Sequence, residues 1–399
     1  QSNRTDKFIK NVVCSAMLQM VTIVTGFISP RLMLTAFGSE INGIVSSITQ
    51  FISYLTLVEA GLSNAIIFAL YRPLADKDNE ARDAIVSAAK ISYYKIGFLF
   101  ILLSFGLAII YPFTSVLNGF ELGVLVLVLC CNSAVNFFVL AKYRAILTAD
   151  QCGYAISFAS SVQLIIHLLL VYLGIKAGFN VIVVRALGMC SLFFTSFVLA
   201  FVIKRKYGNI DYNAKPNMKA LDKRWDAMYL QILGVIATGS PVVIMTAILD
   251  YKLISVYAIY NMIAGSVSSC ISVFTSGLSS AFGNIYAIGD KTLLKKTTEE
   301  FRTAFYILIT IVYSTMLVML IPFIRIYTNG IVNYIMPVFG ILITLKGLIE
   351  NARAPHGMLI YSFGKFDVIK KQTLIQSIII VVATFVFTKK YGLPGSMVA

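Results

Sequence analysis

The chain is short of what catalysis needs. It holds two histidines, His167 and His356, and they lie far apart in the sequence. There is no H-E-x-x-H pair and no Walker-type phosphate loop. The one D-x-D, Asp76-Lys77-Asp78, sits in a charged loop too small to hold both a metal and a nucleotide sugar. Six cysteines are present: Cys14, Cys130, Cys131, Cys152, Cys190 and Cys270. They form no C-x-x-C and no zinc-spaced cluster, and they read as free packing thiols. The expectation is a protein that is not an enzyme, with no metal and no cofactor.

Charge is scarce as well. Only 13% of the 399 residues are charged and 58% are hydrophobic. An ordinary soluble domain is about 25% charged and about 45–50% apolar, so the class is an integral membrane protein. The charge that remains is basic, 33 Lys and Arg against 18 Asp and Glu. That excess fits a positive-inside bias with contact to anionic membrane lipids, or a cationic cavity for an anionic substrate. The basic residues are spread over short loops, which argues against a nucleic-acid partner. No cleavable signal is read at the N-terminus, although a chain starting at Gln1 is not an unprocessed product.

A spanning helix needs about 20 mostly apolar residues. That length predicts eleven spans, near 11–35, 41–70, 90–112, 121–142, 154–174, 180–203, 227–249, 253–284, 302–326, 331–350 and 371–388. Lys and Arg collect in alternate connections. They precede span one and follow spans two, four, six, eight and ten. The other connections hold only Arg31, Lys176, Arg185, Lys252, Arg325, Lys389 and Lys390. An asymmetry of about three to one puts the N-terminus in the cytoplasm.

The most polar stretch runs from Lys204 to Trp225 and reads as a cytoplasmic linker. It divides the chain into an N-terminal lobe over 1–203, a linker over 204–226 and a C-terminal lobe over 227–399. A short repeat supports the cut. Ala60-Gly61-Leu62-Ser63-Asn64-Ala65 in span two matches Ser276-Gly277-Leu278-Ser279-Ser280-Ala281 in span eight. Arg144-Ala145 likewise matches Arg353-Ala354. Transporters are often built from repeated halves with the substrate between them.

Several stretches carry a resemblance to a known family. The segment from Phe27 to Asp76 has an Arg after the first apolar core, a Phe37-Gly38…Gly43 turn, and Glu59 followed by Ala60-Gly61-Leu62. Further matches are AKYRAILTADQ (141–151), SVYAIYNMI (255–263), SAFGNIYAIGD (280–290) and SFGKFDVIKKQTLIQSIIIV (362–381). Together they resemble the Wzx-type polysaccharide flippases of the MOP (MATE-like) exporter superfamily. The resemblance implies an all-α polytopic protein with two six-helix lobes around a central cavity. It implies a bacterial inner-membrane flippase for an undecaprenyl-pyrophosphate-linked oligosaccharide, a repeat unit of O-antigen, capsule or exopolysaccharide. It also implies H+ or Na+ as a coupling ion and a polysaccharide polymerase among the pathway partners. Family members have twelve to fourteen helices, so the ending Tyr391 to Ala399 reads as the start of a twelfth, with C-terminal helices missing. One departure stands out. Where many members carry an acid early in span seven, this chain reads Thr238-Gly239-Ser240-Pro241. The rival readings are a cation-coupled drug or small-molecule antiporter of the same fold, and a membrane polymerase. Polymerases usually carry a large outer loop, and the outer loops here are short.

Charge within an apolar span is costly and marks candidate sites. Arg31 reads either as a headgroup anchor or as a cavity Arg gripping a pyrophosphate. Glu59 reads either as the partner of a lobe-one cation or as the coupling site. Lys346 reads as snorkelling or as cavity-lining. With Glu350 and Arg353 it forms an i, i+4 and i, i+3 series that neutralises itself if the helix continues. Asn64, Asn132, Asn136 and Asn261 are either inter-helix glue or ligands for sugar hydroxyls. Gln163 and His167 fall in the same class, and His167 reads as a satisfied packing residue before a proton relay.

Overall fold

The computed structural model describes residues 2–59, 61–111, 119–221, 224–276, 291–329, 334–356 and 366–398. Among these residues the regular structure is entirely helical. The long helices are α1 (Ser2–Leu55), α2 (Leu62–Asp76), α3 (Asn79–Ile110), α4 (Gly119–Val135), α5 (Ala141–Ala149), α6 (Gly153–Lys176), α7 (Val181–Met189) and α8 (Ser191–Tyr207). There follow α9 (Arg224–Ile248), α10 (Tyr251–Ser276), α11 (Lys291–Thr328), α12 (Pro337–Ala352), α13 (Phe366–Tyr391) and the short α14 (Gly395–Val398). Eight described stretches are long and apolar enough to cross a membrane. The chain is a multi-pass membrane protein.

The first two spans are joined differently from the expected loop over 37–43. Helix runs on from Ser2 to Leu55 and breaks at one residue, Gly38, with φ 82° and ψ 176°. Side chains rarely adopt that conformation, so glycine permits a sharp kink where a loop was expected. The stretch Ile9–Glu59 has 51 residues. At 1.5 Å per residue it is about 75 Å long, enough for two crossings of a ~30 Å core. A second interruption follows. Thr56–Glu59 tightens into a 3-10 turn, and Gly61 caps α2 with φ 79°. Glu59 therefore sits at a break, not within a continuous helix.

The fourth span is also irregular. Between α4 and α5 lies a π-helical turn, Asn136–Leu140, in which the Ala141 N–H donates to the Asn136 carbonyl. Such a turn adds a residue without ending the helix, and these turns are frequent at functional sites. The sixth span is split into α7 and α8 at Cys190.

Two compact units emerge, residues 1–32 with 48–235, and residues 33–47 with 236–399. In the first, Leu62, Ile66 and Leu70 of α2 pack with Ile85, Val86 and Tyr93 of α3 and Ile146 and Leu147 of α5. Phe100 meets Phe137 edge-on at 5.2 Å. Polar residues after α8 dock on the same unit. The Asp211 N–H donates to Asp83 Oδ2 at 3.1 Å, and the Asn217 N–H to the Ala84 carbonyl at 3.2 Å.

In the second unit the segment 33–47 joins α9 and α10. Asn42 Nδ2 donates to Ser255 Oγ at 2.8 Å, and Ser255 Oγ shares a hydrogen with Tyr334 Oη at 2.9 Å. Ser47 Oγ meets Thr246 Oγ1 at 2.7 Å. Gly43 permits this approach, since a Cβ there would lie 1.8 Å from the Tyr251 carbonyl oxygen. The repeat partner of 60–65 falls largely outside the described residues, as do 280–290, Gly277 and 362–365.

Candidate functional site

The polar centre of the first unit forms around Glu59. Ser63, one turn on, donates its hydroxyl to the Glu59 carboxylate. Ser63 Oγ also lies 2.7 Å from Tyr93 Oη on α3. Arg144 of α5 is within electrostatic reach of Glu59. Arg144 Nη1 donates to Asn136 Oδ1 at 3.2 Å, across the π turn. Its Nε is buried and has no hydrogen-bond partner among the described residues. The arrangement is one carboxylate held by a hydroxyl pair, opposite a guanidinium with donor capacity in reserve. Chemically it can bind an anion at Arg144 or exchange a cation at Glu59, and each event alters the balance felt by the other.

Of the sequence candidates, this centre gathers Glu59 and Asn136. Arg31 lies half-buried on α1, directly after Pro30. Asn64 on α2 and Asn132 on α4 are exposed. Asn261, Lys346 and Arg353 belong to the second unit. Asn261 is exposed on α10. Lys346 Nζ lies 3.9 Å from Glu350 Oε1, and α12 ends at Ala352 with Arg353 as its exposed cap. Beside Lys346 and Glu350 runs a hydroxyl-amide node. Asn351 Nδ2 donates to Tyr313 Oη at 2.7 Å and to Ser268 Oγ at 3.2 Å. His167 is tied down, with Nδ1 3.0 Å from the Gly188 carbonyl. Gln163 donates to Ser191 Oγ at 3.1 Å. Ser240 of α9 is buried with Oγ unpartnered among the described residues.

Sequence reading missed Arg144 as a site residue, along with Ser63 and Tyr93. It took Arg144 for a loop cation after span four, while the helix in fact continues to Ala149. The available signal was a charged residue only three positions after the apolar run ends at Ala141, followed by the further apolar Ala145-Ile146-Leu147.

Comparison with known proteins supplies the fold. No protein-family profile matches the chain, and no curated protein matches it. Solved structures do. A multidrug resistance MATE family transporter of the MOP superfamily, in an inward-facing conformation, is similar over 97% of this chain and 93% of its own, with TM-score 0.74 and 14% identity. The lipid II flippase MurJ, in an inward closed conformation, is similar over 96% of this chain and 83% of its own, with TM-score 0.74 and 15% identity. An outward-facing MATE family structure gives TM-score 0.61 at 14% identity. The chain therefore has the all-helical fold that MATE transporters share with the MurJ flippase.

Proposed function

We propose that this chain is a flippase. In this reading it moves an undecaprenyl-pyrophosphate-linked oligosaccharide across the bacterial inner membrane by alternating access. The observation that carries the reading is Arg144, a guanidinium inside a span with a buried Nε unspent. A planar guanidinium suits a diphosphate, which it can grip with two parallel hydrogen bonds. Arg31, half-buried, adds a second cation to the same unit. Asparagine amides and tyrosine hydroxyls are suited to sugar hydroxyls. The polyprenyl tail stays in lipid, so only the polar head needs a protein path.

A second reading rests on Glu59. A single carboxylate in a polar centre is what a cation-coupled drug or small-molecule antiporter would use. Proteoliposomes separate the two. A flippase translocates a fluorescent undecaprenyl-pyrophosphate-linked oligosaccharide, and Arg144→Gln abolishes this. An antiporter instead moves an organic cation against a proton or sodium gradient and leaves the lipid-linked glycan in place.

A further inference from the structure

The first unit holds another basic centre, separate from the residues around Glu59. Lys90 on α3 and Lys142 at the start of α5 both approach one ring, that of Tyr94. Neither is ion-paired with a carboxylate among the described residues. Lys142 Nζ lies 5.1 Å from the ring centres of Tyr143 and Tyr212 and 6.0 Å from that of Tyr94. Lys90 Nζ is 6.0 Å from the Tyr94 ring and donates to Asn213 Oδ1 at 3.0 Å. All five of these lysines and tyrosines are half-buried.

Three features build the centre. The π turn adds a residue to span four just before Lys142. Phe138 of that turn lies over Gly97, where a Cβ would come within 2.7 Å of the ring, and 5.5 Å from the Tyr94 ring. The segment after α8 supplies Tyr212 and Asn213, fixed by the Asp211 N–H donating to the Asp83 carboxylate and the Asn217 N–H to the Ala84 carbonyl. The acids nearby are already engaged. Asp83 pairs with Arg82 at 2.7 Å and takes the Asp211 N–H, while Asp211 Oδ1 takes the Asn213 N–H.

Two ammonium groups carry six N–H donors, of which Asn213 takes one. Two like charges held together, half-buried, with the adjacent acids occupied, call for an anion with several oxygens. Lys142 lies seven residues before the end of α5, or about 10 Å at 1.5 Å per residue. Lys90 and Lys142 both lie on helices long and apolar enough to cross a membrane, where the anion within reach is a lipid phosphate. We propose that Lys90, Lys142, Tyr94, Tyr143 and Tyr212 form a binding site for the phosphate headgroup of a membrane lipid, with the segment after α8 as one wall. The lysines hold phosphate oxygens, and the tyrosine rings cover the glycerol or sugar beside it. The site stands whether or not the chain flips a lipid.

The test uses the full chain in phosphatidylcholine nanodiscs, with undecaprenyl pyrophosphate and phosphatidylglycerol titrated separately. The Lys90→Gln/Lys142→Gln variant loses about tenfold or more in affinity for one or both, as expected for charge-assisted hydrogen bonds. Lys142→Arg retains binding. A loss confined to undecaprenyl pyrophosphate assigns the site to a polyprenyl carrier, and a loss confined to phosphatidylglycerol assigns it to a bilayer phospholipid. Unchanged affinity for both lipids overturns the proposal. If the double variant does not fold, Tyr212→Ala, outside the spans, tests the same site. Weaker binding of either lipid supports it, and unchanged binding of both overturns it.

Discussion

Arg144 donates to Asn136 across a π turn, eight residues and one inserted position away, while it stays within electrostatic reach of Glu59. The three residues therefore act as a unit, and single substitutions should not add. Arg144→Ala leaves the Glu59 charge without its cation. The two half-buried side chains act on each other through space and not as a direct ion pair, so the loss should be about 1 kcal/mol. Glu59→Gln in the Arg144→Ala background removes the stranded charge and should restore much of the loss. Thermal melts of the four proteins in one detergent check this. Additive losses would mean that the two side chains are independent.

Eight of the described stretches were legible because each is an apolar run of sufficient length. The breaks within them were not. Gly38 looked like part of a loop, since a glycine between two apolar runs is the usual mark of one. The dihedral angles that let a single residue do the same work leave no trace in composition. The π turn at Asn136–Leu140 is equally silent, because it keeps the span apolar while changing which residues share a face. Asn132 and Asn136, i and i+4 in sequence, also part company. Asn132 is exposed, while Asn136 is half-buried and holds Arg144. Glu59 was legible as a costly charge, but its partner lay on another helix. Long-range pairing of that kind cannot be read from spacing.

Gly43 and Gly26 lie in the same long helix and should respond in opposite ways. A Cβ at Gly43 would overlap the Tyr251 carbonyl oxygen at 1.8 Å, a backbone atom that cannot swing aside. Gly43→Ala should cost about 3 kcal/mol, the upper end of what overpacking typically costs. At Gly26 nothing lies within 4 Å of the added carbon. Gly26→Ala should be neutral or stabilise by up to about 1 kcal/mol through helix propensity. Melting temperatures of the two variants, measured side by side, provide the check.

Lys346 and Glu350 form an i, i+4 pair at 3.9 Å, with side chains 36% and 50% exposed. A pair of that kind is worth about 0–1 kcal/mol. Lys346→Ala, alone or with Arg353→Ala, should therefore leave expression and melting temperature nearly unchanged. Glycan export should nevertheless fall if these cations serve the substrate. Normal export by the double variant would leave the ion pair with Glu350 as the whole role of Lys346.

Orientation has its own test. Alkaline phosphatase fused after Lys219 should be inactive, and fused after Asn118 it should be active. The basic residues that follow α8 would then lie in the cytoplasm. The reverse pattern would turn the charge map over, and with it the side from which a substrate enters.

Arg31 and Glu59 should separate binding from turnover. Arg31 offers a planar fork that can hold a phosphate with two parallel hydrogen bonds. Glu59 can gain and lose a proton, and its hydroxyl partner Ser63 can act as donor or acceptor to suit either state. Arg31→Lys retains the charge but loses the planar fork, so affinity for undecaprenyl pyrophosphate should weaken about tenfold. Glu59→Gln mimics the protonated acid, so binding should survive while flipping stops. Both are read with purified protein in proteoliposomes, with binding and flipping assayed separately. Flipping at the parent rate by Glu59→Gln would reduce Glu59 to the structural partner of Arg144. Parent-like affinity in Arg31→Lys would make Arg31 a headgroup anchor, and would leave Arg144 to carry the pyrophosphate alone.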